Sequence, residues 1–361
     1  MRVLVVNAGS SSLKLRLLGP ADELLVDQEL EPGADVSAAI EAMPRPDAVG
    51  HRIVHGGERF RSAVRIDAGI EQALRDLTEL APLHQPKSLA ALDAVTGVLP
   101  DVPAVACFDT AFHATLSPAA STYGLPEQWR VRWPLRRFGF HGLSHSYASR
   151  RATEMTGAAR VVSCHLGAGA SLAAVHDGRS IDTTMGFTPL DGLVMATRSG
   201  SVDPGLLLWL IERQGIASAE LSDALERESG LLGLAGTADM REVLSRAAAG
   251  DAAAELAREV YLHRLRAGIA SMAAALGGLD ALLFTGGVGE RSAEIRARAT
   301  AGLDFLGVEI DAEANDAAAG DVEIGIAGAG ASTLVIAARE DLEIAGEVRE
   351  LLDGRAGDRA A

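Results

Sequence analysis

The stretch that decides the fold is residues 3–17, VLVVNAGSSSLKLRL. It begins with an apolar run, Val3 to Val6, that is rich in β-branched residues and is closed by small polar residues. Leu13 to Leu17 then alternates apolar and charged residues with period two, which is typical of a strand with one buried face. The stretch therefore predicts a strand, a tight polar turn and a second strand.

A second stretch of the same kind lies in the middle of the chain. Val161 to Cys164 is an apolar run, residues 165–171 (HLGAGAS) form a small-residue turn, and Leu172 to Val175 is apolar again. Two hairpins of one pattern indicate a duplicated domain. Strand patterns alternate with helical patterns elsewhere, which favours an α/β architecture. We place the domain boundary near the helix predicted from Gly142 to Met155, with Ser144 as its N-cap.

The composition argues against several classes of protein. With 361 residues, 48% hydrophobic and 23% charged, the chain has globular usage and the length of about two domains. The formal net charge of −16 disfavours a nucleic-acid-binding protein and an anionic membrane surface as partner. A small anionic substrate would therefore need a local cluster of positive charge.

Cysteine usage and hydropathy bear on the compartment. Cys107 and Cys164 each end an apolar run, so we expect buried, reduced thiols and no disulfide framework. The apolar stretch at the N-terminus is too short for a signal peptide, and no run of 18 apolar residues occurs. We expect a cytoplasmic protein with no membrane and no nucleic-acid partner.

Three turns rich in small residues each follow a predicted strand: residues 7–12 with Lys14 close behind, residues 165–169 and residues 286–289. Small residues let backbone N–H groups approach a phosphate. For the first turn taken alone, an ordinary hairpin turn is the better interpretation, and any single glycine cluster is weak evidence for a nucleotide. Three of them in one chain favour a nucleotide that the backbone approaches in several places.

Arginine and histidine stand beside glycines in three motifs: HRIVHGG at 51–57, RRFGFHG at 136–142 and TRSG at 197–200. The transition state of phosphoryl transfer spreads negative charge over oxygens, and preplaced donors stabilise that charge. A structural role is the alternative for any one of these arginines. Their shared setting beside glycine and histidine favours phosphoryl transfer.

Asp109 follows a predicted buried strand that ends in Phe108. A carboxylate at the end of a strand is a frequent catalytic or metal-binding group. The alternative is an N-cap for the turn that follows. The histidines lack the spacing of a zinc site, so we predict no zinc.

These motifs together closely resemble the acetate kinase family. The matching segments occur in family order and cover nearly the whole chain; they are residues 7–14, 51–58, 81–84, 108–113, 137–145, 165–171, 185–190, 197–204, 239–242 and 284–290. The resemblance implies an α/β fold of two duplicated ribonuclease-H-like domains, as in actin, sugar kinases and chaperone ATPases, with a nucleotide cleft between them. We expect a first domain over 1–145, joined by the C-terminal helix at about 342–361, and a second domain over 146–341.

The resemblance also implies a function. It implies reversible phosphoryl transfer from ATP to acetate, giving acetyl phosphate and ADP, with Mg²⁺ (Mn²⁺ being an alternative) and a homodimer. The implied catalytic residues are Asp109, His141, Arg198 and Arg52, and the implied metal-site residues are Asn7 and Glu340. The implied acetate-binding residues are Arg52, Val54, Leu83, His84, Phe140 and Pro189. The implied nucleotide contacts are Ser10, Ser12, Lys14, His165, Leu166, Gly167, Ala168, Gly169, Asp239, Met240, Arg241, Gly287, Val288, Gly289, Glu290 and Arg291.

Several departures from the family pattern accompany the resemblance. The chain is shorter than usual between Leu18 and Val49, Ala168 and Arg291 each replace a usual asparagine, and Ala196 replaces a usual glycine. A propionate or butyrate kinase of the same fold is one alternative, because one methylene in an apolar pocket is worth only about 1–3 kcal/mol. A nucleotide-binding regulator without turnover is another, although all four implied catalytic residues are present.

Overall fold

The computed structural model describes residues 1–8, 13–31, 34–80 and 85–354. The chain divides into two compact units: unit 1 contains residues 1–114, 140–147 and 339 onward, and unit 2 contains residues 115–139 and 148–338. Helix α6 (Gly142–Thr156) begins in unit 1 and ends in unit 2. In the described part of the chain, no helix is long and apolar enough to span a membrane.

Unit 1 is built on a six-stranded sheet. Its strands are β1 (Val3–Ala8), β2 (Leu13–Leu18), β3 (Leu24–Leu30), β4 (Ala48–Ile53), β5 (Val64–Arg65) and β6 (Ala104–Phe108). Their spatial order is β3-β2-β1-β4-β6-β5. The first three strands form an antiparallel meander, β1, β4 and β6 run parallel, and β5 is antiparallel at the edge.

Helices cover both faces of this sheet. They are α1 (Val36–Glu41), α2 (Ala68–Asp76), α3 (Gln85–Val98) and the C-terminal α15 (Glu340–Leu352), with 3-10 turns at Leu77–Leu80 and Ala111–Thr115. Val3 and Val5 of β1 pack in a cluster with Ile344 and Val348 of α15. The intervening residues of β1 pack on the opposite face with α1 and α3. Burial on both faces explains why β1 is continuously apolar while β2 alternates.

Unit 2 contains a second six-stranded sheet. Its strands are β7 (Arg160–Leu166), β8 (Ala170–His176), β9 (Arg179–Thr183), β10 (Ala281–Thr285), β11 (Val322–Glu323) and β12 (Ser332–Val335), in the order β11-β12-β10-β7-β8-β9. Its helices are α4 (Pro118–Ser121), α5 (Glu127–Arg132), α7 (Pro204–Gln214), α8 (Ser218–Asp223), α9 (Gly230–Ala235), α10 (Met240–Ala248), α11 (Ala252–Leu276), α12 (Gly286–Arg291), α13 (Ala293–Thr300) and α14 (Ala312–Asp316). A π-helical turn lies at Ala224–Glu228 and a 3-10 turn at Asp304–Leu306.

The two sheets have the same topology. Numbered within its own unit, each sheet has the strand order 3-2-1-4-6-5, with the same pattern of parallel and antiparallel neighbours. An antiparallel three-strand meander followed by parallel strands is the arrangement of a ribonuclease-H-like domain. The predicted α/β fold with a duplicated domain is therefore confirmed.

Local predictions are confirmed in most places, and two are wrong: residues 286–289, predicted as a turn, begin helix α12, and Ser144 is not an N-cap. Both hairpins form, and Cys107 and Cys164 are buried and free, as predicted. Helix α6 begins at Gly142, so Ser144 lies inside its first turn and is not the N-cap. The first phosphate turn, with Ser10 and Ser12, lies outside the described residues.

Candidate functional site

The centre of the candidate site in unit 1 is an ion pair between Arg52 and Asp109. Arg52 is near the end of β4, and Asp109 follows β6 directly. The parallel register of these strands pairs Ile53 with Phe108, which brings the two side chains together. Arg52 Nη2 lies 2.6 Å from Asp109 Oδ2 and Nε lies 3.0 Å from Oδ1. Two parallel N–H···O bonds fix the plane of the guanidinium.

Asn7 and Glu340 complete this cluster. Arg52 Nη1 donates to Asn7 Oδ1 at 3.0 Å, and Asn7 Nδ2 donates to Glu340 Oε2 at 3.0 Å. Glu340 Oε2 is also 3.8 Å from Arg52 Nη1. The four side chains come from the end of β1, from β4, from the residue after β6 and from the first residue of α15. The sequence separates Asn7 from Glu340 by almost the whole chain, and the fold of unit 1 brings them into contact.

Burial makes the charges of this cluster interdependent. Burial raises the pKa of Asp109, and the guanidinium of Arg52 opposes that rise. For Arg52, burial favours the neutral form, but the carboxylates of Asp109 and Glu340 together raise its pKa above the ordinary value. A guanidinium can only donate hydrogen bonds, and both carboxylate oxygens accept from it, so the geometry is that of an ionised pair.

Asn7 and Glu340 fit the requirements of a magnesium site. Mg²⁺ prefers oxygen ligands and commonly takes one or two protein carboxylates, with water and phosphate completing an octahedron. The Asn7 amide and the Glu340 carboxylate supply such oxygens. Within the described ranges, no group of three His, Cys, Asp or Glu residues is arranged to hold a metal by itself. The residues present therefore suit a cation that is held partly by a bound phosphate.

His141 is held next to Asp109 by the backbone. Gly142 N donates to Asp109 O at 2.8 Å, and a Cβ added at Gly142 would lie 2.2 Å from that oxygen, so only glycine permits the approach. His141 itself has φ of +55°, a left-handed conformation that is uncommon for residues other than glycine. Backbone strain of this kind concentrates at functional sites.

The predicted acetate pocket is represented in unit 1 by Val54 and Phe140, which are buried with 9% and 1% exposure. Phe140 makes an edge contact with His55, and its carbonyl oxygen lies 3.0 Å from Nε2 of buried His113. Thr110 Oγ1 accepts from Gly56 N at 3.0 Å. His113 and Thr110 thus contact the backbone at Phe140 and Gly56, although the sequence patterns predicted no role for them. Leu83 and His84 lie outside the described residues.

Arg198 is the predicted catalytic arginine of unit 2, as Arg52 is that of unit 1. Its Nη1 donates to Pro189 O at 2.9 Å and lies 3.6 Å from Met195 Sδ. Burial lowers its pKa, and the charge of Glu226 partly offsets this. Among the residues that the structure describes, no carboxylate lies within 4.0 Å of its guanidinium, in contrast to Arg52. A part-buried arginine whose guanidinium no described carboxylate contacts directly is suited to bind an anionic ligand.

The predicted nucleotide turns lie at strand ends of unit 2. His165 and Leu166 end β7, and Gly167 and Gly169 close a tight turn through Gly167 N to Gly169 O at 2.9 Å. Ala168 O accepts from Ala196 N at 3.1 Å, which ties this turn to the segment that carries Arg198. Gly287, Val288 and Glu290 lie in α12, which packs against β7 and follows β10 directly.

Four of the predicted nucleotide contacts have protein partners of their own. Asp239 caps α10 and is paired with Arg241, whose hydrogen bond is the main reason that the Asp239 pKa falls to about 2. Glu290 Oε1 accepts from Ala338 N at 3.0 Å, two residues before Glu340. Lys14 lies 3.9 Å from Glu29.

The remaining predicted nucleotide residues are placed by their elements. Met240 is buried in the first turn of α10, and Arg291 ends α12.

Two duplicated ribonuclease-H-like units, with the Arg52–Asp109 ion pair at the strand ends of unit 1, define a phosphotransferase of the kinase type. The profile of the Acetokinase family matches residues 35–346. The chain belongs to this family. It is 41% identical to the acetate kinase of Nostoc punctiforme over 404 aligned residues, which cover 98% of this chain and 100% of the relative.

Solved structures show the same similarity. The crystal structure of Porphyromonas gingivalis acetate kinase superposes with a TM-score of 0.89 at 34% identity, covering 97% of this chain and 99% of that one. A propionate kinase from Francisella tularensis gives 0.88 at 37% identity, covering 96% and 98%. The resemblance inferred from the motifs is therefore confirmed across almost the full length of the chain.

Proposed function

We propose that this protein is an acetate kinase that transfers a phosphoryl group reversibly between ATP and acetate. The observation that carries the proposal is the Asn7–Arg52–Asp109–Glu340 cluster, which places a fixed guanidinium beside two metal-suited oxygen ligands. Family membership at 38–47% identity to acetate kinases supports it. The transfer forms a bond between an acetate oxygen and the γ-phosphorus, and it breaks the bond between that phosphorus and the bridging oxygen of ADP.

The chemistry needs charge stabilisation more than proton transfer. A carboxylic acid with a pKa of roughly 4 to 5 is already ionised near pH 7, so the nucleophile has no proton to lose. Negative charge spreads over the transferring phosphoryl, and Arg52, His141 and Arg198 are the proposed donors to it. Asp109 fixes the plane of Arg52, and Asn7 and Glu340 would hold Mg²⁺, which neutralises charge on the phosphates when bound.

Nucleotide and acyl contacts follow the predicted motifs. We assign the phosphates and nucleoside to residues 10–14, 165–169, 239–241 and 287–291. Val54, Leu83, Phe140 and Pro189 are assigned to the methyl group of acetate, and His84 is assigned as a further acetate-binding residue. Propionate is the second candidate acceptor, because the similar Francisella tularensis structure is a propionate kinase.

An acyl-phosphate assay with ATP and Mg²⁺ tests the proposal across acetate, propionate and butyrate. We expect turnover with acetate to exceed turnover with the longer acids, and Arg52→Ala to reduce kcat by at least roughly 10²-fold. Arg65→Ala, at an exposed arginine of the same unit, is the matched control and should keep wild-type turnover. Absence of acyl phosphate with all three acids would reject the kinase assignment and favour the alternative of a nucleotide-binding regulator without turnover.

A homodimer is part of the proposal, and α7 supports it. Leu206, Leu208, Trp209 and Ile211 are exposed by 47%, 56%, 50% and 38%, although a solvent-facing helix normally presents polar residues. Several exposed large apolar side chains on one helix, a tryptophan among them, are typical of a protein interface. We expect Leu208→Glu to shift the mass in light scattering from dimer to monomer. Leu256→Glu, at a leucine exposed by 57% on α11, should not.

Domain limits and location complete the proposal. The duplicated strand order supports evolutionary domains at 1–145, joined by the helix at about 342–361, and at 146–341. Two buried, reduced cysteines and an acidic composition suit the reducing cytoplasm, where we place the protein.

A further inference from the structure

A long irregular loop in unit 2 carries both Pro189 and Arg198. It runs over residues 184–203, between β9 and α7, and contains neither helix nor strand. Structureless loops of this length inside a compact unit are commonly functional and need contacts that hold them. Because Arg198 Nη1 donates to Pro189 O, a movement of the loop would displace the proposed phosphoryl donor and the proposed pocket wall together.

Arg137 holds the start of this loop. Its Nη1 lies 3.0 Å from each of three successive carbonyl oxygens, those of Thr183, Thr184 and Met185. It is also 3.5 Å from Asp191 Oδ2 within the same loop. Three carbonyls that converge on one nitrogen force the chain to curl around the guanidinium. Arg137 is therefore a part-buried support for the loop, with about a fifth of its side chain exposed (22%).

Tyr123 holds the next residues. Its hydroxyl oxygen accepts from Phe187 N at 2.8 Å. A Cβ added at Gly186 would lie only 2.4 Å from that hydroxyl, so the loop passes the tyrosine as closely as glycine allows. Phe138 N donates to Gly186 O at 3.0 Å, and the rings of Phe138 and Phe187 are 5.9 Å apart. All these contacts lie within unit 2.

Resting on the proposed function, we propose that Tyr123 and Arg137 are positioning residues that set acyl-chain selectivity. They act through the loop: Tyr123 fixes Phe187, two residues before Pro189, and Arg137 fixes the turn that leads to it. Pro189 in turn fixes the guanidinium of Arg198. A shift of the loop should therefore change turnover and the preference between acetate and propionate at once. A change in the pocket alone would alter only the preference.

Tyr123→Phe is the sharpest test, because it removes only the hydroxyl and keeps the ring that stands 5.8 Å from the Arg137 guanidinium. We expect kcat with acetate to fall by about three- to tenfold, because the reaction rate falls steeply when the reacting groups are displaced from their productive geometry. The propionate-to-acetate ratio of kcat/KM should change by at least about threefold. Hydrogen exchange of the peptide over residues 184–190 should accelerate, because the Phe187 amide loses its acceptor.

Thr156→Val is the matched control. It also removes a hydroxyl that accepts a backbone N–H, from Ala158 at 3.2 Å, but at the end of α6. It should leave kcat, the selectivity ratio and exchange over 184–190 unchanged. A folded Tyr123→Phe with wild-type kcat, ratio and loop exchange would overturn the proposal.

Arg137 supplies a second, graded test. Arg137→Lys keeps the charge but not the planar fork, and Arg137→Met removes both. We expect loop exchange to rise in the order wild type, lysine, methionine, and kcat to fall in the same order. Equal exchange in all three proteins would contradict the proposal. A wild-type protein without activity would instead reject the kinase assignment, and the exchange data would still report on the loop.

Discussion

Asp109 accepts from Arg52 through both carboxylate oxygens, and its own carbonyl oxygen accepts from Gly142, which follows His141. One residue therefore positions two proposed phosphoryl donors, one by its side chain and one by its backbone. This arrangement describes an orienting carboxylate. A general base would need an oxygen directed at a proton of the substrate, and ionised acetate carries none.

Asp109→Asn should lower kcat by at least about 10²-fold, because it keeps the shape but removes the charge that fixes Arg52. In the wild type, activity should decrease as pH falls through the raised pKa of Asp109, since protonation breaks the ion pair. The solvent isotope effect on single-turnover phosphoryl transfer should stay near unity. An isotope effect of about 2 or more that disappears in Asp109→Asn would show that Asp109 moves a proton.

Arg198→Ala should also reduce kcat by at least about 10²-fold, as removal of a preplaced donor typically does. No carboxylate of the described residues lies within 4.0 Å of the Arg198 guanidinium, and the half-buried Glu226 that feels its charge also interacts with Arg227, so the fold should survive its loss. Melting temperature and steady-state kinetics check both points. Arg179→Ala, an exposed arginine in β9, is the control. Near-normal kcat in Arg198→Ala would remove this residue from the proposed machinery.

Val54→Ala should enlarge the proposed acyl pocket, because Val54 is only 9% exposed directly after β4. We expect the propionate-to-acetate ratio of kcat/KM to rise within the roughly 1–3 kcal/mol that one or two methylenes provide. Val64→Ala, a half-buried valine in β5 of the same unit, should leave the ratio unchanged. A ratio that does not move in Val54→Ala would show that Val54 does not line the pocket.

Ala168→Asn should tighten ADP binding by roughly 0.5–1.5 kcal/mol if the new amide reaches a phosphate. Ala196 N donates to Ala168 O, and both positions depart from the family pattern, so the effect of Ala168→Asn depends on the residue at position 196. The double variant with Ala196→Gly should bind at least as tightly as the single one. Calorimetric titrations of the wild type, Ala168→Asn, Ala196→Gly and the double variant with ADP give the coupling free energy between the two positions. Unchanged affinity in both asparagine variants would mean that residue 168 does not face the phosphates.

His51 predicts acid sensitivity of folding. It is buried in β4, neither ring nitrogen has a hydrogen-bond partner among the described residues, and burial lowers its pKa from 6.5 to about 4. The unfolded chain binds the proton more readily than the folded protein does. The contribution of neutral His51 to the free energy of unfolding is therefore present above about pH 6.5 and is lost as the pH falls through about 4. By the size of the shift, it amounts to at most about 3 kcal/mol.

Urea unfolding between pH 4 and 7 checks this prediction. His51→Leu should show a weaker decline in the free energy of unfolding towards low pH than the wild type. The decline should not vanish, because burial also lowers the pKa of His55 to about 4. His176→Gln, at an exposed histidine in β8, should follow the wild-type curve. Identical slopes in wild type and His51→Leu would contradict the assignment.

Sequence patterns predicted the strands and hairpins, which depend on residues that are close together in the chain. The apolar runs before and after residues 9–12 and 167–169 gave both hairpins and the duplication, because strand periodicity is a local property. Ser144 was wrong as an N-cap for a tertiary reason. Gly142 N donates to the Asp109 carbonyl oxygen, and the helix begins there, three residues earlier than an N-cap at Ser144 would place it.

Long-range contacts had no such signature. The motif at 136–142 was noticed for its charge, yet Arg137 binds backbone carbonyls, which every residue possesses and no sequence pattern marks. The same holds for Tyr123 and His113, whose partners are also main-chain groups. Their contribution could be recognised only once the path of the backbone was known.

The placement of α15 has a consequence for biosynthesis. Ile344 and Val348 cover a face of the unit 1 sheet whose strands are complete by Phe108, but all of residues 148–338 must be made first. At the usual 5–20 residues per second, the roughly 240 residues from Phe108 to Val348 take about 10 to 50 s, and that face has no cover during this time. Nascent unit 1 thus exposes the apolar side of β1, β4 and β6. Transiently exposed apolar surface of this kind is what chaperones bind during synthesis.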